Sequence, residues 1–386
     1  MTNIKLYNKI SKIGLDVFDK EKYNVSETAE NPEGILVRSA ALHDESFGKE
    51  LLAIARAGAG VNNIPIDRCS ENGIVVFNTP GANANGVKEL AVAALLLASR
   101  DIVGGINWAL GLKGQPEVGK LVEKGKSRFV GPEIKGKTLG VIGLGAIGGM
   151  VANTASSLGM KAVGCDPYIT VKNAWLLSRA VRKADDYDAI YAESDYISYH
   201  IPSLPSTKGI INKENIAKMK DGVRIINLSR GDLANIPDLV EALQSGKVAS
   251  YVTDFPCDEL LGLPNVVCIP HLGASTPESE DNCAVMAAEQ IVDYIENGNI
   301  RNSVNYPEIV LPRTESNRVI VLHENVPNII TQISAALASD NVNIESLLSQ
   351  AKGNNAVSIF DTNDCINEAV VSDIAAIKGV VRVLVR

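Results

Sequence analysis

The sequence predicts an α/β protein with two doubly wound parallel-sheet domains, Rossmann-like or flavodoxin-like, and a C-terminal ferredoxin-like βαββαβ domain. Short segments rich in β-branched residues alternate with helix-length stretches between residues 5 and 271, which is typical of parallel sheets with crossover helices. A glycine-rich turn follows one of these strands, as in nucleotide-binding folds. At 386 residues the chain is too long for one hydrophobic core, so we expect several domains.

Composition and charge exclude several classes of protein. The formal net charge of −8 leaves no excess of basic residues to neutralise a nucleic acid or an anionic membrane surface. The six cysteines show no ligand or disulfide spacing, so we expect no metal site and a reduced, cytoplasmic protein. The N-terminal residues lack an apolar signal core, and no stretch reaches the roughly 18 apolar residues of a transmembrane helix.

Four strand-like segments between residues 5 and 77 predict a first α/β unit, and the apolar run Lys88–Ser99 predicts a buried helix that leads into the next unit. We expect a substrate-binding domain over residues 1–88 and 278–302. Six further strand candidates, from KTLGVIG to NVVCIPHLG, predict a nucleotide-binding domain over residues 89–277. The Pro-containing residues 303–316 read as a linker before the βαββαβ domain, residues 317–386.

The motif Gly143-Leu-Gly145-Ala-Ile-Gly148 lies between an apolar strand and a helical stretch and predicts a dinucleotide site. The first glycine allows a tight turn, the second lets a pyrophosphate approach the backbone, and the third allows helix–strand packing. Asp166 follows the next strand, eighteen residues after Gly148, where an acid binds the adenosine ribose. A carboxylate repels a 2′-phosphate, so the pattern favours NAD over NADP.

One of the four histidines is placed for catalysis. His271 directly follows a strand of the second unit, and open α/β sheets bind ligands at the carboxyl ends of their strands. An imidazole there can take the proton of a 2-hydroxyl group while a hydride leaves for the nicotinamide. His200, at the end of another strand, reads instead as a structural residue that lines the cofactor crevice.

These motifs in this order resemble the D-isomer-specific 2-hydroxyacid dehydrogenases over nearly the whole chain. The shared features are the glycine turn, Asp166, the HxP strand end, the N-x-x-R-G segment, Asp254 and the PHxG histidine. The resemblance implies that Arg230 holds the substrate carboxylate, that His271 exchanges the proton and that Asp254 faces the nicotinamide. The cofactor-binding residues it implies are Gly143, Gly145, Ala146, Ile147, Gly148, Asp166, His200, Pro202, Leu228, Ser229, Arg230, Asp254, His271, Gly273 and Ala274.

The family also has an acid that pairs with the histidine, five residues after the position of Asp254. Gapless counting gives Glu259, which we prefer as the third catalytic residue. The family's Asp-Val-Phe stands here as Asp254-Phe255, so a one-residue deletion would put Asp258 in this role instead.

The first domain is expected to supply the substrate pocket. Arg38 and Ser39 follow one strand, and the glycine-rich residues around Gly60 and Val61 follow the next, where backbone N–H groups can meet a carboxylate. Within the resembled family this Arg-Ser pair implies a phosphorylated substrate, D-3-phosphoglycerate. Ala40 stands where many relatives have a second arginine, so we assign the missing phosphate contact to Lys88 together with Asn83; a solvated helix lysine is the alternative.

The C-terminal domain resembles the ACT domains of relatives that bind L-serine through a histidine and two asparagines. By that match His323, Asn325 and Asn343 are candidate effector residues, although Asn328 replaces the usual glycine after the proline and would crowd the pocket. The resemblance also implies a homodimer or homotetramer. Two other functions remain open: reduction of another acid such as hydroxypyruvate or glyoxylate, and a non-catalytic NAD sensor like the corepressors of this fold.

Overall fold

The computed structural model describes all residues 1–386, which form two compact units. One unit contains Met1–Ala82 and Glu280–Arg386, and the other contains Asn83–Ser279. The predicted fold class is confirmed: two parallel sheets are flanked by helices, and the third sheet is antiparallel.

A five-stranded parallel sheet forms the N-terminal part of the first unit. Its strand order is β2-β1-β3-β4-β5, the flavodoxin-like order. Its elements are β1 (Thr2–Tyr7), α1 (Lys12–Leu15), β2 (Tyr23–Ser26), β3 (Gly34–Val37), β4 (Ala53–Arg56), α2 (Ile66–Glu71) and β5 (Val75–Phe77).

The second unit opens with three helices, α3 (Ala84–Ser99), α4 (Ile102–Leu110) and α5 (Val118–Gly125). A nucleotide-binding series follows: β6 (Thr138–Ile142), α6 (Ala146–Ser157), β7 (Lys161–Cys165), α7 (Val171–Trp175), β8 (Arg182–Lys183), α8 (Tyr187–Glu193), β9 (Tyr196–Tyr199), α9 (Lys213–Lys218), β10 (Val223–Asn227), α10 (Ile236–Gln244), β11 (Val248–Thr253) and β12 (Val266–Cys268). The seven strands are parallel in the order β12-β11-β10-β9-β6-β7-β8. Their order reverses between β6 and β9, the point where such sheets bind ligands.

The long helix α11 (Pro277–Asn297) leads into the last part of the chain. There β13 (Asn317–Glu324), α12 (Ile329–Ser339), β14 (Ile344–Lys352), β15 (Asn355–Thr362), α13 (Glu368–Ala376) and β16 (Val380–Val385) form the βαββαβ domain. Its antiparallel sheet has the order β14-β15-β13-β16. The antiparallel pattern is the ferredoxin-like arrangement that the sequence predicts.

Both faces of strand β13, in the middle of this C-terminal sheet, are covered. Val319 and Val321 point towards α12 and α13 and share their core. The alternate residues Ile320 and Leu322 belong to the core of the N-terminal sheet and α11 instead. Because side chains alternate along a strand, one strand therefore contributes to two cores.

The structure contains elements that the sequence pattern did not predict. The short strands β2 and β8 lie at sheet edges, and helices α4 and α5 occupy a segment for which no structure was predicted. Helix α3 begins four residues before the predicted start at Lys88 and ends at the predicted Ser99. None of the helices combines the length and the hydropathy that a membrane-spanning segment requires.

Candidate active site

The three glycines of the turn after β6 differ in what an added side chain would contact. Gly143 has φ of +91°, and a Cβ atom there would overlap the carbonyl oxygen of His200. A Cβ at Gly148 would overlap the carbonyl oxygen of Gly143, so helix α6 can pack this closely only without a side chain. At Gly145, the residue before α6, a Cβ would meet no atom within 4 Å. The space above Gly145 is open, as close approach of a pyrophosphate requires.

The carboxylate of Asp166 is fixed beside this turn. One of its oxygens accepts a hydrogen bond from the backbone N–H of Leu144 (2.9 Å), and the other accepts from that of Tyr168 (2.8 Å). The side chain therefore lies at the end of β7 with its charge held next to the glycine turn. Both oxygens keep lone pairs for ribose hydroxyls.

His200, at the end of β9, is engaged inside the protein. Its backbone N–H donates to the Ile142 carbonyl (2.8 Å), and Nε2 lies 2.8 Å from the hydroxyl of Ser198. Burial lowers its pKa to about 4, so the ring is neutral at physiological pH. These contacts agree with the structural role proposed for His200.

The segment after β10 presents Arg230. Ser229 donates from its hydroxyl to the Tyr199 carbonyl (2.6 Å), and Asn227 donates from its amide to the Arg230 carbonyl (2.9 Å). This buried asparagine holds the backbone, while the guanidinium is exposed and donates only to the adjacent Ser229 carbonyl (2.6 Å). Arg230 is therefore a cation on a fixed backbone, free to bind a carboxylate.

His271 and Asp254 lie next to each other at the ends of β12 and β11. The backbone N–H of His271 donates to the Asp254 carbonyl (3.2 Å), and its ring meets that of Phe255 edge-on at 4.9 Å. His271 has φ of +41°, a backbone conformation unusual for a residue with a side chain and often found at functional sites.

The carboxyl of Asp254 is 2% exposed, and its Oδ1 atom is buried without a hydrogen-bond partner. Burial raises its pKa, while the nearby His271 charge, backbone N–H groups and Arg230 oppose that shift. A buried acceptor without a donor is rare in native proteins. A carboxamide N–H of a nicotinamide would satisfy it, so the residues present fit a bound NAD.

The start of α3 packs against the loop that follows His271. A Cβ at Gly86 would lie 3.0 Å from the Gly273 carbonyl oxygen, and Val87 lies 3.3 Å from the Cβ position of Gly273. Lys88 is the next residue of α3; its side chain is 18% exposed and lies 3.7 Å from the Glu89 carboxylate. Asn83 precedes α3 without capping it through its side chain.

The substrate-binding candidates of the other unit lie at the carboxyl ends of β3 and β4. The guanidinium of Arg38 pairs with Glu280 of α11 at 2.6 Å, and the backbone N–H of Ser39 donates to the Asn8 side chain (2.9 Å). Arg56, which the sequence analysis missed, donates to the carbonyls of Arg38 (2.9 Å) and Gly60 (2.5 Å). Val61 accepts from Ile64 in the following turn. An arginine at a strand end next to a glycine loop was the available signal for Arg56.

Two of the three effector candidates line one cavity. A cavity of about 450 Å³ is bordered by His323, Asn325, Asn328 and the end of β14, but not by Asn343. Asn343 precedes the opposite end of β14, and its backbone N–H donates to the Asn363 side chain (3.0 Å). Asn328 has φ of +70° and lines the cavity, as expected for an asparagine in place of glycine.

His323 makes contacts through both ring nitrogens. Nδ1 lies 2.8 Å from the Glu324 carbonyl oxygen, and Nε2 lies 2.9 Å from the Ser358 hydroxyl. Burial lowers its pKa. His323 as a whole is 3% exposed, although it borders the cavity.

Comparison with known proteins agrees with this geometry. Residues 93–273 match the model of the D-isomer specific 2-hydroxyacid dehydrogenase NAD binding domain. A D-3-phosphoglycerate dehydrogenase of Haemophilus influenzae is 31% identical over 350 residues, which cover 86% of this chain and 80% of that protein. The chain belongs to the D-isomer specific 2-hydroxyacid dehydrogenase family.

Other relatives extend the comparison. A D-3-phosphoglycerate dehydrogenase of Archaeoglobus fulgidus is 38% identical over 290 residues, 72% of this chain and 52% of that protein. The chain thus spans about half the length of that relative. The NAD+-bound 3-phosphoglycerate dehydrogenase of Entamoeba histolytica has a similar structure, with a TM-score of 0.61, 28% identity and coverage of 79% of this chain and 98% of that chain. The predicted cofactor, NAD, is confirmed by the family.

Neither of the two acids predicted to pair with His271 contacts it in the structure. Asp258 and Glu259 are both exposed, and neither forms a hydrogen bond with His271. The pKa of Glu259 is lowered by its own backbone N–H and by the thiol of Cys257. The carboxylate whose pKa responds to the His271 charge is Asp254. The choice of Glu259 over Asp258 stays a prediction.

Proposed function

We propose that this protein is an NAD-dependent D-3-phosphoglycerate dehydrogenase that oxidises D-3-phosphoglycerate to 3-phosphohydroxypyruvate, the first step of serine biosynthesis. One observation carries the proposal: a buried, unpartnered carboxylate oxygen of Asp254 lies beside His271 and Arg230, on the sheet that bears the glycine turn. The names of the relatives support the choice of substrate, since those from Archaeoglobus fulgidus and Haemophilus influenzae are D-3-phosphoglycerate dehydrogenases.

In this proposal the protein's own residues orient the substrate and move one proton. Bound NAD supplies the hydride acceptor. Arg230 holds the substrate carboxylate through its exposed N–H groups, and His271 takes the proton of the 2-hydroxyl as general base. Asp254 would accept a hydrogen bond from the carboxamide of a bound nicotinamide and would stabilise the imidazolium of His271, while Glu259 is the proposed acid that pairs with His271.

The phosphate is assigned to two cations. Arg38 pairs with Glu280 at 2.6 Å, and this pair would have to open or bind the phosphate from its free N–H groups. Lys88, which follows Val87 in α3, would add the second charge. Because Arg38 is paired with Glu280, one alternative function remains: oxidation or reduction of an acid without a phosphate, such as glyoxylate or hydroxypyruvate, which does not need this cation.

The test measures NADH formation by the purified protein with D-3-phosphoglycerate, glycerate and D-lactate. NADH consumption is measured with hydroxypyruvate and glyoxylate, which are substrates of the reverse reaction. D-3-phosphoglycerate should give the highest kcat/KM, and His271→Asn should lower kcat by roughly 10²- to 10⁴-fold. Arg38→Ala should raise the KM for the phosphorylated substrate far more than that for D-lactate. Equal activity on phosphorylated and unphosphorylated acids would contradict the substrate assignment, and NAD binding without any turnover would indicate a sensor.

The C-terminal cavity is proposed to bind L-serine as an effector. His323 and Asn325 border it, whereas Asn343 belongs to the other end of β14. A site that contains all three residues would therefore need a second chain. The strand β14 is an edge of its sheet, with exposed residues along its length, and could pair with the same strand of a second copy.

Homo-oligomerisation is also supported by the helices that precede the nucleotide-binding series. Helix α4 has no buried residue, and Ile106 and Leu110 are 54% and 70% exposed. An apolar helix without cover is typical of an interface. We therefore propose a homodimer or homotetramer, which light scattering would measure. The six cysteines are all free thiols, which supports a reducing, cytoplasmic location.

A further inference from the structure

Three polar side chains fasten the C-terminal sheet to the N-terminal part of its unit. Arg318 is fully buried, pairs with Asp361 at 2.6 Å and donates to the carbonyls of Asn297, Leu311 and Pro312. Arg382 donates to the carbonyls of Leu51 (2.7 Å) and Asn72 (2.9 Å), and Arg386 donates to that of Ile295. Together with the shared apolar core, these contacts join the two domains without a free hinge.

Arg382 differs from the other two because its targets precede strands of the substrate-binding sheet. Leu51 lies two residues before β4, and Asn72 lies three residues before β5. Backbone and side chain approach closely here, since a Cβ at Gly73 would lie 2.9 Å from the Cβ of Arg382. The guanidinium therefore fixes the amino ends of two neighbouring strands.

The other ends of these strands carry the substrate candidates. Strand β4 is a rigid element of four residues that ends at Arg56, whose side chain holds the carbonyls of Arg38 and Gly60. A displacement of the amino end of β4 would therefore reach the loop of Gly60 over a distance of about 13 Å.

Arg382 is also tied to the effector cavity. It pairs with Leu322 on β13, next to His323, and the register shifts between these two residues. The extra residue at this bulge is Val381, which is 36% exposed. A bulge redirects the side chains that follow it, and here Arg382 points towards Leu51 and Asn72. On the far side of the bulge, Gly379 accepts from the backbone N–H of Glu324 at the edge of the cavity (2.8 Å).

We propose that Arg382 is a positioning residue that connects the C-terminal cavity to the substrate loop around Gly60, so that a ligand in the cavity changes the affinity for the hydroxyacid and not for NAD. The proposal rests on the proposed dehydrogenase function and deepens it, by naming the route of regulation. Both ends of the route lie in the same unit of the structure, and each link in it is a hydrogen bond or a paired strand.

The test compares Arg382→Met with Lys352→Met. The methionine keeps the apolar part of each side chain. Lys352 is a matched control because its ammonium also donates from the C-terminal domain to a carbonyl, that of Ser303 (2.9 Å). Ser303 pairs with Phe77 at the carboxyl end of β5, so Lys352 does not hold the amino ends of β4 and β5. Arg382→Met should raise the KM for D-3-phosphoglycerate by about two- to thirtyfold, the range for substitutions along coupling networks, and leave the KM for NAD unchanged. Arg382→Lys has a single ammonium nitrogen in place of the two guanidinium nitrogens that reach Leu51 and Asn72, and it should restore part of the wild-type KM.

Amide hydrogen exchange provides a readout without turnover. Exchange in residues 53–62 should rise in Arg382→Met and stay at the wild-type level in Lys352→Met. A purely structural loss would lower the melting temperature and raise exchange throughout the unit, and would not separate the two KM values. Unchanged exchange in residues 53–62 together with an unchanged KM for the hydroxyacid would overturn the proposal.

Experiments with L-serine distinguish the effector assignment of the cavity from the role of Arg382. If serine binds the wild type and raises the KM for the hydroxyacid, Arg382→Met should still bind it by calorimetry but lose that response. Serine inhibition that persists at full strength in Arg382→Met would refute the route. If serine does not bind the wild type, the effector assignment fails, but the KM and exchange data still decide the role of Arg382. If no hydroxyacid is oxidised, the proposed function fails, and hydrogen exchange alone decides the role of Arg382.

Discussion

His200 should make the nucleotide-binding unit sensitive to acid. Its pKa is about 4 in the folded protein, against 6.5 for an unperturbed histidine, because burial disfavours the imidazolium. As the pH falls, the unfolded chain therefore binds this proton before the folded chain does. Stability is complete above the unfolded value and is lost as the pH falls from about 6.5 towards 4. Integrated down to pH 5.0, this one group costs about 2 kcal/mol of unfolding free energy.

The measurement is the free energy of unfolding of wild type and His200→Gln from urea titrations at pH 7.5 and pH 5.0. Both tryptophans, Trp108 and Trp175, lie in the same unit as His200, so their fluorescence reports its unfolding. The wild type should lose about 2 kcal/mol more than the variant between the two pH values, because all other titrating groups cancel in the difference. His43→Gln, at an exposed position, is the matched control. Equal losses in wild type and His200→Gln would refute the reasoning.

Three further predictions concern the cofactor site and the domain junction. Gly148→Ala should lower both the melting temperature and the affinity for NAD, because the new methyl group overlaps the backbone, whereas Gly145→Ala should weaken NAD binding at an unchanged melting temperature. Asp166→Ser should raise kcat/KM with NADP relative to NAD in steady-state assays, since the carboxylate that repels a 2′-phosphate is gone. Arg318→Met should cost roughly 3–5 kcal/mol in chemical denaturation by breaking a buried ion pair, and Arg301→Met, at an exposed pair, less than about 1 kcal/mol.

The strands that the sequence predicts are those whose apolar residues cover both faces of a parallel sheet. Strands β6 and β10 are buried along most of their length, so their composition alone marks them. The missed strands carry no such signal. Strand β8 consists of two exposed residues, and β2 is a short strand of mixed polarity at a sheet edge. Edge strands of this kind form because a neighbouring strand offers free backbone groups, which a local pattern does not contain.

The site was predictable where a motif fixes the backbone and not where distant residues meet. The roles of Gly143 and Gly148 follow from the steric needs of one turn, which the sequence shows directly. The ion pair between Arg38 and Glu280 joins residues 242 positions apart, and only the fold brings them together. The unpartnered oxygen of Asp254 likewise depends on burial by several elements, so no spacing rule could have found it.

The docking of the C-terminal sheet is a feature that the sequence does contain. Strand β13 reads Val-Ile-Val-Leu from Val319 to Leu322, apolar on both faces, although helices of a βαββαβ domain cover only one face of its sheet. The second apolar face therefore requires another cover, and the structure provides it with the core of α11 and the N-terminal sheet. A domain fastened in this way cannot swing freely on a linker. A change caused by a ligand in the cavity of this domain would have to be transmitted through the packed sheet. The polar contacts at the edge of that sheet, above all those of Arg382, are therefore the place to test for regulation.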